Sequence, residues 1–239
     1  DKRTLADAAV DGIIPSKNLP TREKLCQDSL KALRDWKKRA LEGKITMINR
    51  EDLTLPLRPE IIEYLKPSLG DFSKMNQKWS VTRSEKTFKR LQSDPKEWFY
   101  YHQMYAEKRK DWDEIPYEVI AKKIDKRPDW IVADMGCGEN LLSKEIKNKV
   151  HAFDFYSNDD DVVQCDMKNV PLDSDSVDVV VFCLALMAPN YLDHLKEGHR
   201  ILRTYSKMFI CQPYKKMEGK IDKFKSEIEE LGFSVDHKT

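Results

Sequence analysis

From Trp130 onward, short apolar runs alternate with runs of helical spacing. The apolar runs are Ile131-Val132-Ala133-Asp134, Val150-His151-Ala152-Phe153-Asp154, Val162-Val163-Gln164-Cys165-Asp166, Val177 to Leu186, and Met208-Phe209-Ile210-Cys211. Between or after them lie the helix-like stretches Leu141–Ile146, Tyr191–Leu202 and Ile221–Leu231. A strand buried on both faces needs no polar side, so near-continuous apolar strands separated by helices predict a mostly parallel sheet with helices on both faces. The fold class is α/β, a doubly wound sheet, and its crossovers are right-handed because strands twist one way.

Ahead of the sheet the pattern is helical. Residues 1–75 read as a helical accessory region whose task the sequence does not announce. Within it, Leu25 to Leu41 sets Leu25, Leu30, Leu33, Trp36, Ala40 and Leu41 at roughly helical spacing, and Pro59 to Leu65 forms a short helix opened by its proline. Residues 76–129 are a second helical stretch, basic and rich in aromatics. There Ser93-Asp94-Pro95 predicts a helix start, followed by Trp98-Phe99-Tyr100-Tyr101-His102-Gln103-Met104-Tyr105. Aromatics crowded on one helix are mostly core, with a minority left to face a ligand. Residues 130–239 hold the sheet.

Charge adds an asymmetry to this division. The 239 residues carry a formal charge of +1, from 42 basic and 41 acidic side chains. Residues 1–130 hold 28 Lys and Arg against 22 Asp and Glu, which leaves 14 against 19 for the remainder. An anionic partner therefore meets the front half if there is one, with Lys31, Lys37, Lys38, Arg39, Lys86, Lys89 and Arg90 as candidates for phosphate contacts. Solvated helix faces are the plainer explanation of the same charges.

The longest apolar stretch, Val179 to Ala188, is about half of what a membrane helix requires. Five cysteines without a C-x-x-C pair argue against a zinc ribbon and a disulfide framework, and favour a reducing, intracellular compartment. Asp1-Lys2-Arg3 opens no signal peptide, and a start without methionine suits a piece of a longer chain. His151, His194 and His199 lack metal-ligand spacing and read as surface or packed residues; Asp159-Asp160-Asp161 reads as a solvated turn. No metal is expected.

In doubly wound sheets ligands sit beyond the carboxyl ends of the strands. The first strand runs into Asp134-Met135-Gly136-Cys137-Gly138-Glu139-Asn140, where Gly136 and Gly138 allow a tight turn and a close approach to the backbone. The second strand ends in Asp154, a carboxylate able to accept hydrogen bonds from both hydroxyls of a ribose. The third ends in Asp166-Met167, where a carboxylate takes an exocyclic amine and a thioether packs on a purine. Together these tips describe an adenosine-shaped slot. A dinucleotide site needs a third glycine, and here that position is Leu141. Asp134 and Glu139 beside the slot disfavour a pyrophosphate and favour a sulfonium with an α-amino group. The expected cofactor is S-adenosyl-L-methionine.

Four segments carry a resemblance. They are Ala133-Asp134-Met135-Gly136-Cys137-Gly138, Val150 to Asp154, Cys165-Asp166-Met167-Lys168-Asn169-Val170-Pro171-Leu172, and Ser176 to Met187 with its Phe182-Cys183-Leu184-Ala185-Leu186-Met187. From roughly Lys78 to Val235 the chain resembles the ribosomal RNA-processing protein 8 (nucleomethylin) family of S-adenosylmethionine-dependent methyltransferases. The resemblance implies a Rossmann-like class I methyltransferase fold and N1-methylation of an adenosine in ribosomal RNA. It also implies cofactor contacts from His102, Gly136, Asp154, Asp166, Met167 and Cys183, with the Tyr101-His102 helix closing over the cofactor, and a nucleolar or nuclear location in a eukaryote or a cytoplasmic one in a bacterium.

The chain departs from that pattern in three places. Arg203-Thr204-Tyr205-Ser206 replaces a Lys-Pro-Gly-Gly turn, Ala188-Pro189 precedes Asn190 where Gly-Thr is usual, and the sequence stops at Thr239 before an expected last aromatic-rich strand. Asn190 and Tyr191, after the fourth strand, are candidates to orient and stack a substrate base; helix capping and core packing are their alternatives. Methylation of a protein or small molecule, and a non-catalytic module that recruits partners to RNA or chromatin, remain open beside an RNA methyltransferase.

Overall fold

The computed structural model describes residues 48–236. The expected helix Leu25 to Leu41, with Lys31, Lys37, Lys38 and Arg39, lies outside the described residues. Of the described residues, 48–52 and 58–67 belong to one compact unit, and 53–57 and 68–236 to another. The first holds a 3-10 turn, Arg50–Asp52, in which Arg58 pairs with Asp52 at 2.6 Å. Helix α1 (Pro59–Leu69) opens on its proline as expected, and runs four residues past Leu65.

The second unit begins with α2 (Phe72–Ser80), α3 (Ser84–Ser93), α4 (Lys96–Arg109) and α5 (Pro116–Ile124). Asp71 caps α2 by accepting the Lys74 amide at 2.9 Å, and Pro116 starts α5 where its missing N–H costs nothing. Glu97 ties three of these helices together. Its carboxylate accepts from Lys78 (2.6 Å) and the Trp79 indole (2.6 Å) on α2, and from Arg90 on α3 (2.9 and 3.0 Å). Burial alone would raise its pKa; Arg90, Lys78 and Trp79 outweigh that and hold it below the usual range. Lys78 and Arg90 are thus paired with Glu97, Arg90 half-buried and Lys78 exposed, and Lys86 and Lys89 are exposed too.

The five expected strands follow. Strands β1 (Ile131–Met135), β2 (Lys149–Asp154), β3 (Val162–Gln164), β4 (Val177–Cys183) and β5 (Leu202–Cys211) are all parallel, arranged β3-β2-β1-β4-β5. Helices α6 (Leu141–Glu145) and α7 (Tyr191–Ile201) connect them, and α8 (Tyr214–Met217) and α9 (Ile221–Glu230) follow β5. Successive side chains of a strand point to opposite faces, and both faces here are covered. Val132, Val179 and Val181 pack with Ile120, Ala121 and Ile124 of α5. Ala133, Met135, Val180 and Phe182 pack with Leu195 and Ile201 of α7. All of these side chains are buried, and burying each of the larger ones (Val, Leu, Ile, Met, Phe) contributes roughly 1.5–3 kcal/mol.

Strand β5 starts at Leu202, six residues ahead of the expected Met208. Its register with β4 slips: Val177 pairs with Leu202 and Val179 with Lys207, so three extra residues of β5 bulge out. Tyr205 sits in that bulge, fully exposed and at φ +63°. It occupies a position of the turn where the resemblance leads one to expect glycine. Among the described residues no helix is long and apolar enough to cross a membrane.

Candidate active site

A cleft opens over the carboxyl ends of β1, β2 and β4. Its floor is the turn after β1. Gly136 has φ +83°, and a Cβ built there would stand 2.6 Å from the Ala185 Cβ of the loop after β4. Gly138 has φ +56°, and its Cβ would stand 2.9 Å from His102 Nε2 on α4. Only glycine permits both the turn and these approaches. The same turn is fastened to β2, since the Gly136 and Cys137 amides donate to the Phe153 carbonyl at 2.8 and 3.0 Å.

Asp154 ends β2 with its carboxylate fixed by three donors. Oδ1 accepts from the Trp98 indole (2.7 Å) and the Phe155 amide (2.8 Å), and Oδ2 accepts from the Gly138 amide (2.8 Å). These three donors fix the orientation of the carboxylate and leave about one of its roughly four acceptor sites, on Oδ2, for a ligand. Next to it, on β1, Asp134 is buried and its Oδ1 has no hydrogen-bond partner among the described residues. Burial, and then the charge of Asp154, push its pKa up to about 7.

Helix α4 forms the wall opposite the strand tips. His102 Nδ1 lies 2.9 Å from the Trp98 carbonyl, which can only accept, so Nδ1 carries the proton and Nε2 presents a lone pair to the cleft. Burial lowers the His102 pKa and keeps the ring neutral. Tyr105 and Arg109 follow on the same helical face, at i+3 and i+7. The Arg109 guanidinium lies 5.2 Å from the Tyr105 ring centroid, 5.8 Å from that of Tyr117, and 3.3 Å from Glu139 Oε1.

His102, Gly136, Gly138, Asp154, Met167 and Cys183 all line this cleft. Burial, together with the nearby Asp134, pushes the Cys183 thiol far up, so it is no thiolate. Asp166, next to Met167 in the chain, is not among the residues that line the cleft. Its Oδ2 accepts from the Ser84 hydroxyl (2.7 Å) and its Oδ1 from the Lys168 amide (3.2 Å), and His194 Nε2 is 3.6 Å from Oδ1, beyond hydrogen-bond range. Burial acts to raise the Asp166 pKa; His194, Ser84 and the Lys168 amide prevail and lower it.

Asn190 and Tyr191 are turned to other partners. Asn190 Oδ1 accepts the Ser84 amide (3.0 Å) and its Nδ2 donates to the Ser84 hydroxyl (2.9 Å), which pins α3 to the loop after β4. Although Asn190 occupies the N-cap position of α7, its side chain makes no capping bond there. The Tyr191 hydroxyl donates to Glu227 of α9, and its ring lies 5.8 Å from Phe224. His194 is packed, as expected, with no exposure, yet it also lines the cleft, and neither ring nitrogen has a hydrogen-bond partner among the described residues.

The residues present suit S-adenosyl-L-methionine. A floor that a Cβ would fill, a pre-set carboxylate for the ribose, and a buried carboxyl with one oxygen unpartnered match a nucleoside that carries a cationic tail. Strand order, glycine turn and carboxylate tips make this a Rossmann-like sheet with a nucleoside-shaped cleft at its carboxyl ends.

The sequence matches the family described as hypothetical methyltransferase over residues 60–239, and the chain belongs to that family. Curated relatives agree with the resemblance drawn from the sequence. The Ribosomal RNA-processing protein 8 of Arabidopsis thaliana is 37% identical over 144 residues, which is 60% of this chain and 50% of that one. That of Mus musculus is 38% identical over 149 residues, 62% of this chain and 32% of that one. The 25S rRNA (adenine(645)-N(1))-methyltransferase of Saccharomyces cerevisiae is 28% identical over 267 residues, 95% of this chain and 67% of that one. The chain thus matches half of the plant protein and about a third of the mouse protein.

Proposed function

We propose that this chain is an S-adenosylmethionine-dependent methyltransferase that modifies RNA, with N1 of an adenosine in ribosomal RNA as the acceptor. The observation that carries the proposal is the pairing of two carboxylates in one cleft: Asp154, fixed by Trp98, Phe155 and Gly138, and Asp134, buried with Oδ1 unpartnered. The first suits ribose hydroxyls and the second a positive charge. The acceptor rests on the yeast relative, a 25S rRNA adenine-N1 methyltransferase.

When bound, S-adenosylmethionine supplies a methyl group on a cationic sulfur. Asp154 and the Gly136–Gly138 turn would hold the nucleoside, with Met167 against its base and His102 over the turn. Asp166, held by the Ser84 hydroxyl, would take the exocyclic amine. The apolar loop side chains Leu184, Ala185, Met187 and Ala188 line the cleft and exclude water, so that alignment and desolvation are the chain's main contribution. Adenine N1 carries its own lone pair, so the reaction asks for no general base. The exposed Lys86 and Lys89 of α3 would steer phosphates, and the site of action would be the compartment where ribosomal RNA is made.

The test is mass spectrometry of nucleosides from ribosomal RNA incubated with the chain and S-adenosylmethionine. The expected product is 1-methyladenosine, lost in Asp154→Ala. Methyl label that enters protein and no RNA would overturn the substrate.

A further inference from the structure

We infer that Arg109 binds the carboxylate of the cofactor's amino-acid tail. The inference rests on the cofactor proposal above and adds a residue that neither the glycine turn nor the strand tips announce.

The strand order fixes which end of the cleft meets which part of the ligand. Met167 follows β3, at the sheet's edge, and Asp154 ends β2, so base and sugar lie on that side. The remainder of the ligand then lies over β1 and β4. Arg109 belongs to that end. Its partner Glu139 follows the turn after β1, and Tyr117 belongs to α5, which packs on Val132, Val179 and Val181 of β1 and β4.

The charges at that end match an amino acid. Asp134 and Glu139 suit an α-ammonium, but both repel the carboxylate one bond further on. Among the described residues that line the cleft, Arg109 is the only lysine or arginine. Its side chain is 15% exposed, so its charge is poorly screened by solvent. Two tyrosine rings lie within 6 Å of the guanidinium and favour its cationic face. Nη1 is spent on Glu139, whereas the planar fork has further donors whose geometry suits a carboxylate. His102, Tyr105 and Arg109 share one face of α4, and at 1.5 Å per residue the arginine lies about 10 Å along the axis from the histidine beside Gly138, a reach of the order of an extended side chain.

The experiment is a calorimetric titration of the wild type, Arg109→Gln and Arg109→Lys with two ligands. One is S-adenosylhomocysteine; the other is 5′-methylthioadenosine, which keeps the nucleoside and lacks both carboxylate and ammonium. The expected result is a loss of tenfold or more for S-adenosylhomocysteine in Arg109→Gln, with 5′-methylthioadenosine changed by less than twofold. Arg109→Lys, which keeps the charge without the fork, should fall between. Equal losses for both ligands, or none for either, would overturn the inference while leaving the cofactor site standing. A wild type that binds neither ligand overturns both.

Discussion

The indole of Trp98 donates its N–H to Asp154 Oδ1 at 2.7 Å, and so joins α4 to the tip of β2. One bond thereby links the two walls of the cleft. Trp98→Phe keeps an aromatic ring and deletes the donor to a charged, buried acceptor. The expected cost is about 1.5–3 kcal/mol of folding stability, read as a lower urea midpoint. A midpoint equal to that of the wild type would show that the bond contributes nothing.

Ser84 relays between Asn190 and Asp166. Its hydroxyl accepts from the first at 2.9 Å and donates to the second at 2.7 Å. Ser84→Ala removes the donor to Asp166 Oδ2 and one acceptor of Asn190 Nδ2, while the Ser84 amide still reaches Asn190 Oδ1, with an expected loss of about 1–3 kcal/mol. Because they share one network, Ser84→Ala and Asn190→Ala should be non-additive, the double variant losing less than the sum. Additive losses in urea denaturation would mean that the two side chains act independently.

Asp134 gives the site a pH dependence whose sign follows from its raised pKa of about 7. In the free protein the carboxyl is largely protonated at pH 6. A cationic ligand favours the ionised form, so binding S-adenosylmethionine near pH 6.5 should release a proton, and affinity should climb as pH rises toward 7.5. Calorimetry in buffers of different ionisation enthalpy reads that proton directly. For folding the sign is opposite: the native state keeps a proton that the unfolded chain loses, so the Asp134 contribution to stability is full below the unfolded pKa, near 4, and fades as pH rises to about 7. Asp134→Asn should abolish the proton release, and its persistence would contradict this assignment.

Tyr205, at φ +63° and fully exposed, holds a backbone conformation that costs a non-glycine residue roughly 1–2 kcal/mol. Tyr205→Gly removes that strain and adds chain entropy to the unfolded state. The net expectation is a gain of about 1 kcal/mol, seen as a raised melting temperature. A loss of stability would show that the tyrosine side chain holds the bulge.

The centre of the sheet was legible because β1 and β4 are buried on both faces: Val132 and Val179–Val181 have no exposure, and such strands leave continuous apolar runs in the sequence. The start of β5 was hidden, since Arg203-Thr204-Tyr205-Ser206 bulges into solvent and reads as a turn. Helix α4 carries an unbroken buried run, Glu97 to Gln103, with no polar stripe to show which side faces the ligand. Its start was readable, whereas the part played by Tyr105 and Arg109 was not. Ser84 and Asn190 are 106 residues apart, and nothing local in either segment points to the other. Asn190 and Tyr191 drew attention as polar and aromatic groups after β4; the fold turns one toward Ser84 and the other toward α9. Asp154 could be located from its place after an apolar strand, but its three donors come from separate elements and appear only on folding.

The most direct test of the cofactor slot is a titration of the full chain with S-adenosylhomocysteine, alongside Asp154→Ala. The expected outcome is one site per chain, weakened by at least about tenfold in the variant, which corresponds to roughly 1.4 kcal/mol. No heat with the wild type, or equal affinity in Asp154→Ala, would contradict it.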